Sequence, residues 1–434
     1  MHSVEASPKK SRQTTWIVGA MALGIIVGFA CNKLAASADQ AKEIASYFAT
    51  LTDIFLRLIK MIIAPLVFST LVAGLAGMGD ARTVGRIGGR ALAWFVMASL
   101  ISLTIGLVLA NVLQPGGNLG IPLPAVNAAV ELKTSSLNLK DFLTHVFPRN
   151  IFESMANNEI IQIVVFSVFF GLALGRVGAK ARVLSEAIQG AVPVMLKVTG
   201  YVMFFAPLGV FAAIANVVTT QGLGVLLVYG KVLGGFYFAL LVLWAVLIGL
   251  GYFVLNSKIF PLLSAIREPI ILGFSTASSE AAYPRVMEQL RRLGISERVI
   301  GFVLPLGYSF NLDGSMIYTT FASLFVAQAY NIPLTLGQQI AMLLILMVSS
   351  KGIAGVPRSA LVVVAAVLPM FNLPEAGVLL IMGIDVFLDM GRTATNVLGN
   401  SIATAVIAKW EGAYEPQGVD VDLTAQDATL PQTV

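Results

Sequence analysis

Six apolar runs that are long enough to cross a membrane fill most of the first 255 residues of this chain. They lie near residues 15–34, 47–78, 91–113, 162–177, 187–217 and 223–255, and the fourth is short enough to be a broken helix. A helix needs about 20 mainly apolar residues to span a bilayer. Charged residues make up only 12% of the 434 positions, whereas soluble domains carry about 25%. The chain is therefore predicted to be an all-α, multi-pass membrane protein.

The pattern changes after residue 255. Segments 259–293 and 335–375 are apolar but are interrupted by Ser, Gly and Pro, and segment 299–330 between them is broken at residues 311–314. A last apolar run covers about 376–410, and a polar tail follows it. Irregular backbone at membrane depth is tolerated only where protein or a cavity covers it. The two interrupted segments are therefore predicted to be helical hairpins around a broken span.

Positive charges fall in alternate loops. They follow the second, fourth and sixth runs, precede the broken span and end the last run, at Arg82, Arg86, Arg90, Arg176, Lys180, Arg182, Lys258, Arg267, Arg285, Arg291, Arg292, Arg298 and Lys409. Loops 219–224 and 330–337 carry no Lys or Arg. Because cytoplasmic loops hold the excess of Lys and Arg, both termini are predicted to be cytoplasmic. The alternation of cytoplasmic and external loops holds along the whole chain only if each hairpin enters and leaves the membrane on the same side, the first from the cytoplasm and the second from outside.

Composition argues against several kinds of function. Two histidines and the single Cys31 provide neither a histidine metal cluster nor a disulfide framework. The net charge of +5 is spread over loops and does not indicate nucleic-acid binding. The charged N-terminus before the first apolar run is also compatible with a signal peptide. No Ala-x-Ala site ends that run and more spans follow, which favours a cytoplasmic tail.

A stripe of polar residues lies in the last span. Asp385, Asp389, Arg392, Asn396 and Asn400 fall within roughly 80° of arc on one helix face. Charges in a bilayer face a bundle interior, a partner or a water-filled cavity. The stripe thus predicts a site for a small charged solute, in which Arg392 grips a carboxylate and Asp389 holds an ammonium. This interpretation requires the two charges to be kept apart, whereas the alternative is that they pair with each other.

Three shorter segments add candidate ligands. The first hairpin tip, 274–284, is rich in Ser and precedes a helix start whose free N–H groups suit a carboxylate. The second tip, 349–357, contains Gly and Pro and is typical of an unwound lid. Taken alone, the first tip is better explained as an ordinary Ser-rich turn, and the second is equally compatible with a plain loop. The Asn-Leu-Asp-Gly break at 311–314 offers oxygen ligands for a small cation, unless it is a kink with a satisfied polar pair.

These segments together resemble the dicarboxylate/amino-acid:cation symporter family of glutamate, aspartate and C4-dicarboxylate transporters. The resemblance covers nearly the whole chain and rests on the Ser-rich hairpin, the Asn-x-Asp-Gly break and Asp-Met-Gly-Arg-Thr-x-x-Asn in the last span. It implies eight transmembrane helices plus two opposed re-entrant hairpins, built from inverted repeats. It also implies a homotrimeric, elevator-type secondary symporter in the lipid of the bacterial inner membrane, which is not an enzyme and needs only a coupling ion.

The resemblance also divides the chain into regions. Residues 1–14 would be a cytoplasmic tail, and 15–255 would hold helices one to six, mainly scaffold, with helices three and six joining the transport domain. Residues 256–411 would form the transport core, and 412–434 a disordered cytoplasmic tail.

Site residues follow from the family motifs. Arg392 would bind the side-chain carboxylate of the substrate, Asp389 its ammonium, and Asn396 with Thr393 its α-carboxylate. The other substrate-binding residues would be Ser278, Ser279, Ser315, Ala354, Gly355 and Val356. The cation-binding residues, a possible sodium site, would be Gly307, Ser309, Asn311, Asp313, Asp385, Asn396, Asn400, Ser99 and Ser350. The candidate proton carriers would be Glu280, Asp313 and Asp385.

Three positions narrow the choice of substrate and of coupling ion. The resemblance places Asp389 at a position where the C4-dicarboxylate branch has a serine. The negative charge of Asp389 would repel a substrate that has only carboxylates. L-glutamate or L-aspartate is therefore favoured over succinate, fumarate or malate. Asn400 stands where strongly sodium-coupled members have Asp, and Ile353 replaces a threonine ligand at the second tip. Losing oxygen ligands weakens sodium binding, so protons are favoured, as in the bacterial proton/glutamate branch.

Two other classes of protein remain as alternatives. Paired carboxylates in a membrane could serve an intramembrane aspartyl protease, but an arginine one turn from Asp389 would hold that acid ionised. A channel-like or structural membrane protein is also compatible with apolar spans. Two opposed hairpins favour a transporter over it, because occlusion needs a gate on each side.

Overall fold

The computed structural model of the chain describes residues 12–76, 81–117, 123–124, 144, 146–222, 229–350 and 359–414. In these ranges the regular secondary structure is helical apart from an isolated β-bridge, which confirms the all-α prediction. The α-helices there are α1 (Arg12–Leu34), α2 (Ala38–Ala76), α3 (Ala81–Leu113), α4 (Ile151–Ala156), α5 (Ile160–Val177), α6 (Arg182–Met203), α7 (Ala206–Gln221), α8 (Gly230–Leu255), α9 (Ile259–Thr276), α10 (Ser279–Arg292), α11 (Glu297–Phe310), α12 (Asp313–Ala329), α13 (Leu336–Ser349), α14 (Ser359–Val367), α15 (Val378–Met382) and α16 (Asp385–Trp410).

Five stretches of the described residues are long and apolar enough to cross a membrane. They are Thr15–Leu34, Ala38–Ala76, Arg82–Leu113, Ile160–Met203 and Gly230–Thr276. Their outward faces carry large apolar side chains, such as Phe253, which is 82% exposed. A helix that is apolar on every side is stable where lipid covers the outer face. The total of eight spans stays a prediction.

Helix breaks differ from the predicted runs in two places. The fourth run is the continuous helix α5, whereas the fifth run, 187–217, is divided between α6 and α7 at Phe204 and Phe205. Pro207 lies in the first turn of α7, where its missing N–H leaves no intrahelical hydrogen bond unmade. The last run, 376–410, is interrupted near Gly383 between α15 and α16. As a result Asp385 lies in the first turn of α16, where the helix dipole favours a negative charge.

The first interrupted segment is a helical hairpin. α9 and α10 pack against each other, and the turn between them consists of Ala277 in the left-handed region and Ser278 as the N-cap of α10. Arg285 of α10 donates to Glu268 of α9 at 2.8 Å, which ties the two arms together. α13 and α14 of the second segment also pack against each other. The re-entry of either hairpin into a membrane stays a prediction.

The helices pack in two groups. In the first, called the peripheral group, α2 packs against α5, α6 and α7, and α1 packs against α7. The second, called the central group, consists of α3 and α8 to α16, and α16 is its axis because it contacts α3 and each helix from α8 to α12. All residues of α16 from 393 to 408 are buried. The groups meet where α10 and α11 contact α2, and where α9 contacts α1 and α7.

The chain just after α16 is packed against the central group. Tyr414 forms a β-bridge with Ile295, and Ala413 accepts a hydrogen bond from the backbone N–H of Ser296 at 3.0 Å. Lys258 lies over the Tyr414 ring at 4.7 Å from its centre. Residues 412–414 therefore depart from the prediction of a disordered tail, because the apolar side chains of Ala413 and Tyr414 find a buried place. Residues 415–434 lie outside the described part.

Candidate functional site

Asp389 and Arg392 form an ion pair on the polar stripe of α16. Arg392 donates to Asp389 Oδ1 from Nη2 at 2.6 Å and from Nε at 3.0 Å. The side chains keep 12% and 16% of their surface exposed, for the arginine and the aspartate. The expectation that the two charges are kept apart is therefore wrong for this structure. One helical turn brings them within contact, and partial burial strengthens their attraction.

Tyr318 of α12 completes the charged cluster. The Arg392 guanidinium lies 5.5 Å from the centre of the Tyr318 ring, a cation–π distance. The Tyr318 hydroxyl donates a hydrogen bond to Asp385. Sequence reasoning did not select Tyr318. Its only signal was an aromatic residue five positions after Asp313 in a segment otherwise rich in small residues.

Asn396 joins the stripe to the break between α11 and α12. Its Oδ1 accepts from the backbone N–H of Gly314 at 2.8 Å, and its Nδ2 donates to Ser315 Oγ at 3.2 Å. A Cβ on Gly314 would come 2.2 Å from the Arg392 carbonyl oxygen, so only glycine permits this approach. Thr393 donates to Asp389 at 3.0 Å. The structure thus brings together four of the predicted substrate residues from α16 and one from α12.

The first hairpin contributes its tip to the same region. Ser278 caps α10 by accepting from the Ala281 N–H at 3.3 Å, and half-buried Ser279 is the first residue of that helix. α9 and α10 both pack against α16, and a Cβ on Gly273 would lie 3.3 Å from Thr393 Cγ2. The predicted residues of the second tip lie outside the described part of the chain; they are Ile353, Ala354, Gly355 and Val356.

A second polar cluster lies deeper, beside the other end of the break. Asn311, Asp313 and Asn400 are each at most 2% exposed. A Cβ on Gly399 would lie 2.1 Å from Asp313 Oδ2 and 3.4 Å from Asn311 Nδ2, and one on Gly307 would lie 2.1 Å from Asn400 Oδ1. Two glycines therefore let these side chains lie directly against the facing helix backbone.

The amides of this cluster have bonding capacity to spare. Neither the oxygen nor the nitrogen of the Asn311 and Asn400 side chains makes a hydrogen bond within the described residues. Buried amide atoms nearly always have a partner, so such a set of oxygens suits a small bound cation. Because the oxygens come from one carboxylate and two amides, the cluster supplies little negative charge to neutralise a bound sodium ion.

The remaining predicted cation residues are distributed over several places. Asp385 contacts α12 at Tyr318, and Asn396 is satisfied by Gly314 and Ser315 as described above. The buried Ser99 lies on α3, and Phe95 of the same helix would contact a Cβ on Gly307 at 3.5 Å. Ser309 is buried in α11, and Ser350 donates to the Met347 carbonyl at 2.8 Å.

The proton-carrier candidate Glu280 lies at the contact between the two helix groups. Its carboxylate is 3.8 Å from the ammonium of Lys60 on α2, and the side chains are 24% and 49% exposed. The three candidates are thus in different surroundings: Glu280 faces the peripheral group, Asp313 lies in the deep cluster and Asp385 accepts from Tyr318.

Comparison with known proteins agrees with this architecture. A model of the sodium:dicarboxylate symporter family matches residues 14–410. The chain is 38% identical over 426 residues to C4-dicarboxylate transport protein 2 of Polaromonas naphthalenivorans, covering 96% of this chain and 93% of the relative. It is 39% identical over 403 residues to the proton/sodium-glutamate symport protein of Bacillus caldotenax, covering 91% and 93%. For the protein of that name from Bacillus subtilis the values are 36%, 425 residues, 96% and 97%. The chain therefore belongs to the sodium:dicarboxylate symporter family and is a membrane-embedded symporter, not an enzyme.

Proposed function

We propose that this symporter imports an acidic amino acid, L-glutamate or L-aspartate, together with protons. The observation that carries the proposal is the pairing of Asp389 with Arg392 at a partly exposed position of α16. An acidic amino acid has one ammonium and two carboxylates, so it can satisfy both members of the pair. Its side-chain carboxylate would replace Asp389 on the guanidinium, which binds carboxylates with two parallel hydrogen bonds. Its ammonium would take the place of the guanidinium on Asp389.

Neighbouring groups fit the remaining carboxylate. Thr393 and Asn396 lie on the same face one turn further along α16, and Ser315 lies against Asn396. Ser278 and Ser279, at the start of α10, supply hydroxyls and N–H groups from the first hairpin. We propose that these residues, with Ala354, Gly355 and Val356 of the second tip, enclose the α-carboxylate.

A second candidate substrate is a C4-dicarboxylate. The relative from Polaromonas naphthalenivorans is named for such a substrate and is about as similar as the glutamate symporters. A dicarboxylate that binds Arg392 would leave Asp389 without its cationic partner in a partly buried place. Loss of one partner from such a pair costs about 2–5 kcal/mol, which favours the amino acid by at least a factor of about 30.

The deep cluster supports coupling to protons more than to sodium. Asn400 brings an amide rather than a carboxylate to Asn311 and Asp313, so the cluster is short of negative oxygen ligands for a hard cation. Sodium remains the second candidate ion, with Gly307, Ser309, Ser99 and Ser350 as further ligands. We propose Asp313, Asp385 or Glu280 as the proton carrier, since each is a carboxylate next to the moving parts of the transporter.

The assembly is part of the same proposal. We propose a homotrimer in the bacterial inner membrane with cytoplasmic termini, in which the central group moves like an elevator against the peripheral group. The division of the helices into two packing groups supports this scheme. The proposed scaffold consists of α1, α2 and α5 to α7, and α3 and α8 move with the two hairpins.

Counterflow in liposomes tests the substrate and the ion separately. Purified protein should exchange labelled glutamate or aspartate faster than succinate or malate, and an inward proton gradient should drive uptake without sodium. Faster exchange of succinate would support the dicarboxylate alternative. Strict dependence on sodium would contradict the proton coupling but not the substrate.

Arg392→Ala tests the site itself. Uptake should fall at least about 100-fold, because the variant loses the carboxylate grip and leaves Asp389 unpaired. The matched control is Lys409→Ala at the exposed end of the same helix, which should transport normally. Unaltered uptake in Arg392→Ala, with an unchanged elution volume on size exclusion, would contradict the assignment.

A further inference from the structure

A cavity of about 210 Å³ lies behind the polar stripe of α16. Four helices line it: α1 with Met21, α8 with Tyr237 and Trp244, α9 with Ile271, and α16 with Gly391 and Ala394. Gly391 directly precedes Arg392. The cavity and the ion pair therefore lie on opposite faces of the same turn of α16. Met21 belongs to the peripheral group and the other lining residues belong to the central group, so the cavity lies between the two groups.

The polar side chains around the cavity are already hydrogen-bonded. The Tyr237 hydroxyl donates to the Phe387 carbonyl at 2.7 Å, and Trp244 Nε1 donates to Thr395 Oγ1 at 2.8 Å. Thr395 in turn donates to the Gly391 carbonyl at 2.9 Å. The walls therefore present carbon surface. An apolar cavity of this size excludes water and takes up apolar molecules, since water would find no partner there.

The open side of the cavity lies at the exposed apolar surface of α8. Leu241 lines the cavity and is 63% exposed, and Phe238 beside it is 50% exposed. Both lie in the stretch Gly230–Thr276, one of the candidate spans. By contrast, Leu240 and Ala394 in the cavity wall are each only 4% exposed. The cavity thus continues the exposed apolar surface of α8 inward, and in a membrane-spanning α8 the hydrocarbon chains of lipid would cover such a surface.

We propose that the cavity binds one acyl chain of a membrane phospholipid, inserted between α1 and the back of α16. The chain would bury apolar surface that neither helix group covers, which is the ordinary driving force for such binding. It would contact α1 on one side and α8, α9 and α16 on the other. The inference requires only a membrane-spanning chain, so its failure would leave the proposed substrate and ion untouched.

Photolabelling separates an inserted chain from surface lipid. The purified protein is reconstituted with a phosphatidylcholine that carries a diazirine on one acyl chain, and labelled residues are identified by mass spectrometry. An inserted chain should label Leu240 or Ala394 in addition to the exposed Leu241 and Phe238. Label on the exposed pair alone would mean that lipid only covers the surface, and would overturn the proposal.

Filling the cavity gives the matched comparison. Ile271→Phe should lower labelling of Leu240 and Ala394 about tenfold, equivalent to about 1.4 kcal/mol of binding free energy, while labelling of Phe238 persists. Leu263→Phe places the same ring on α9 outside the cavity and should leave all labelling unchanged. Leu241→Trp fills the mouth from α8 and serves if Ile271→Phe does not fold. Inner labelling that survives both filling variants would also overturn the proposal.

Discussion

Arg392 has three neighbours whose chemistry limits what it can bind: Asp389, the Tyr318 ring and, through Tyr318, Asp385. The guanidinium is already neutralised in this arrangement, so an incoming carboxylate must compete with Asp389 for it. A substrate that also brings an ammonium removes the penalty for displacing Asp389, because no partly buried charge remains without a partner. In the proposed function the ion pair would therefore act as a filter for zwitterions.

Replacing Asp389 should change that filter. In Asp389→Ser the guanidinium loses its internal partner, and a substrate with two carboxylates no longer faces a negative side chain. The rate of succinate uptake relative to glutamate uptake should rise at least about tenfold. Competition between labelled glutamate and unlabelled succinate in liposomes measures this ratio.

Asp389→Asn serves as the control for size. It removes the charge but keeps the shape, so it should relax the preference in the same direction as the serine variant. Undiminished discrimination against succinate in both variants would show that Asp389 does not select the substrate.

The deep cluster leads to a second prediction at this scale. Asn400→Asp adds a carboxylate beside Asn311 and Asp313, over Gly307. Sodium binding should become tighter by about tenfold or more, because each added anionic oxygen favours a hard cation. The measurement is the sodium concentration for half-maximal uptake, with potassium as the comparison salt.

Thr404→Val is a suitable control for that experiment. Thr404 is one turn beyond Asn400 on α16 and bonds only to the helix backbone at 2.8 Å among the described contacts. Its substitution should leave the sodium response as in the wild type. A flat sodium response in Asn400→Asp would remove the cluster from consideration as a cation site.

At the scale of elements, ion pairs fasten the end of α16 to the start of α3. Glu411 accepts from Arg86 Nη2 at 2.7 Å and from Arg90 Nη1 at 2.6 Å. Arg90 also donates to the Trp410 carbonyl at 2.8 Å, and Trp94 packs edge-on against Trp410. α3 is thereby joined to the central group at the predicted cytoplasmic side, which agrees with its proposed movement with the hairpins.

The ion pairs of Glu411 with Arg86 and Arg90 should weaken in acid. The hydrogen bond from Arg86 lowers the pKa of Glu411 below its ordinary value of 4.5. A carboxyl whose pKa is lowered by folding contributes stability above the ordinary value, and loses it as the pH falls through the folded value. Glu411→Gln should therefore unfold at a lower temperature than the wild type at pH 7, by roughly 1 kcal/mol of unfolding free energy.

The difference should shrink as the pH falls below 4.5 and should vanish only below the lowered pKa of Glu411 in the folded protein, where the wild-type carboxyl also loses its charge. Thermal unfolding followed by the fluorescence of the protein across pH 3–7 provides the measurement. The control is Glu153→Gln in the distant short helix α4. Its difference in stability from the wild type should not disappear at low pH. A constant difference between Glu411→Gln and wild type down to pH 3 would argue against this role.

At the scale of the whole molecule, a charged contact joins the two helix groups. It is the pair of Lys60 on α2 and Glu280 at the first hairpin tip, 3.8 Å apart. If the central group moves as a body against the peripheral group, this contact must break in each transport cycle. A covalent link at this point should therefore stop transport and leave substrate binding intact.

Cross-linking checks this expectation. With Cys31 replaced by serine, Lys60→Cys and Glu280→Cys are joined by a short, thiol-cleavable bifunctional maleimide. Exchange of internal for external glutamate, which moves no net protons and so does not require Glu280 as a carrier, should fall at least about tenfold after linking and return after cleavage, while glutamate still protects the protein against unfolding. A monofunctional maleimide should have no comparable effect. Transport at the unlinked rate by the linked protein would contradict a rigid-body movement at this contact.

The sequence by itself determined the membrane class, the two hairpins, the break at residues 311–314 and the membership of the polar stripe. These features are local. They follow from the length of the apolar runs, the helical period and the positions of Gly and Pro, and they do not depend on contacts between helices. The sequence did not predict the break at Phe204 and Phe205 or the packing of residues 412–414, because the composition of both segments favours the opposite prediction.

Only the tertiary structure decided which of the selected residues meet. Gly314 and Asn396 are 82 positions apart in the chain, and Tyr318 reaches Asp385 across 67 positions. Those contacts depend on how α12 and α16 pack. Gly314 and Gly399 at the interface permit that packing, and no local sequence pattern predicts it. By contrast, the pairing of Asp389 with Arg392 follows from their i, i+3 spacing along α16, and the packing of helices decides only that the pair lies against Tyr318 of α12.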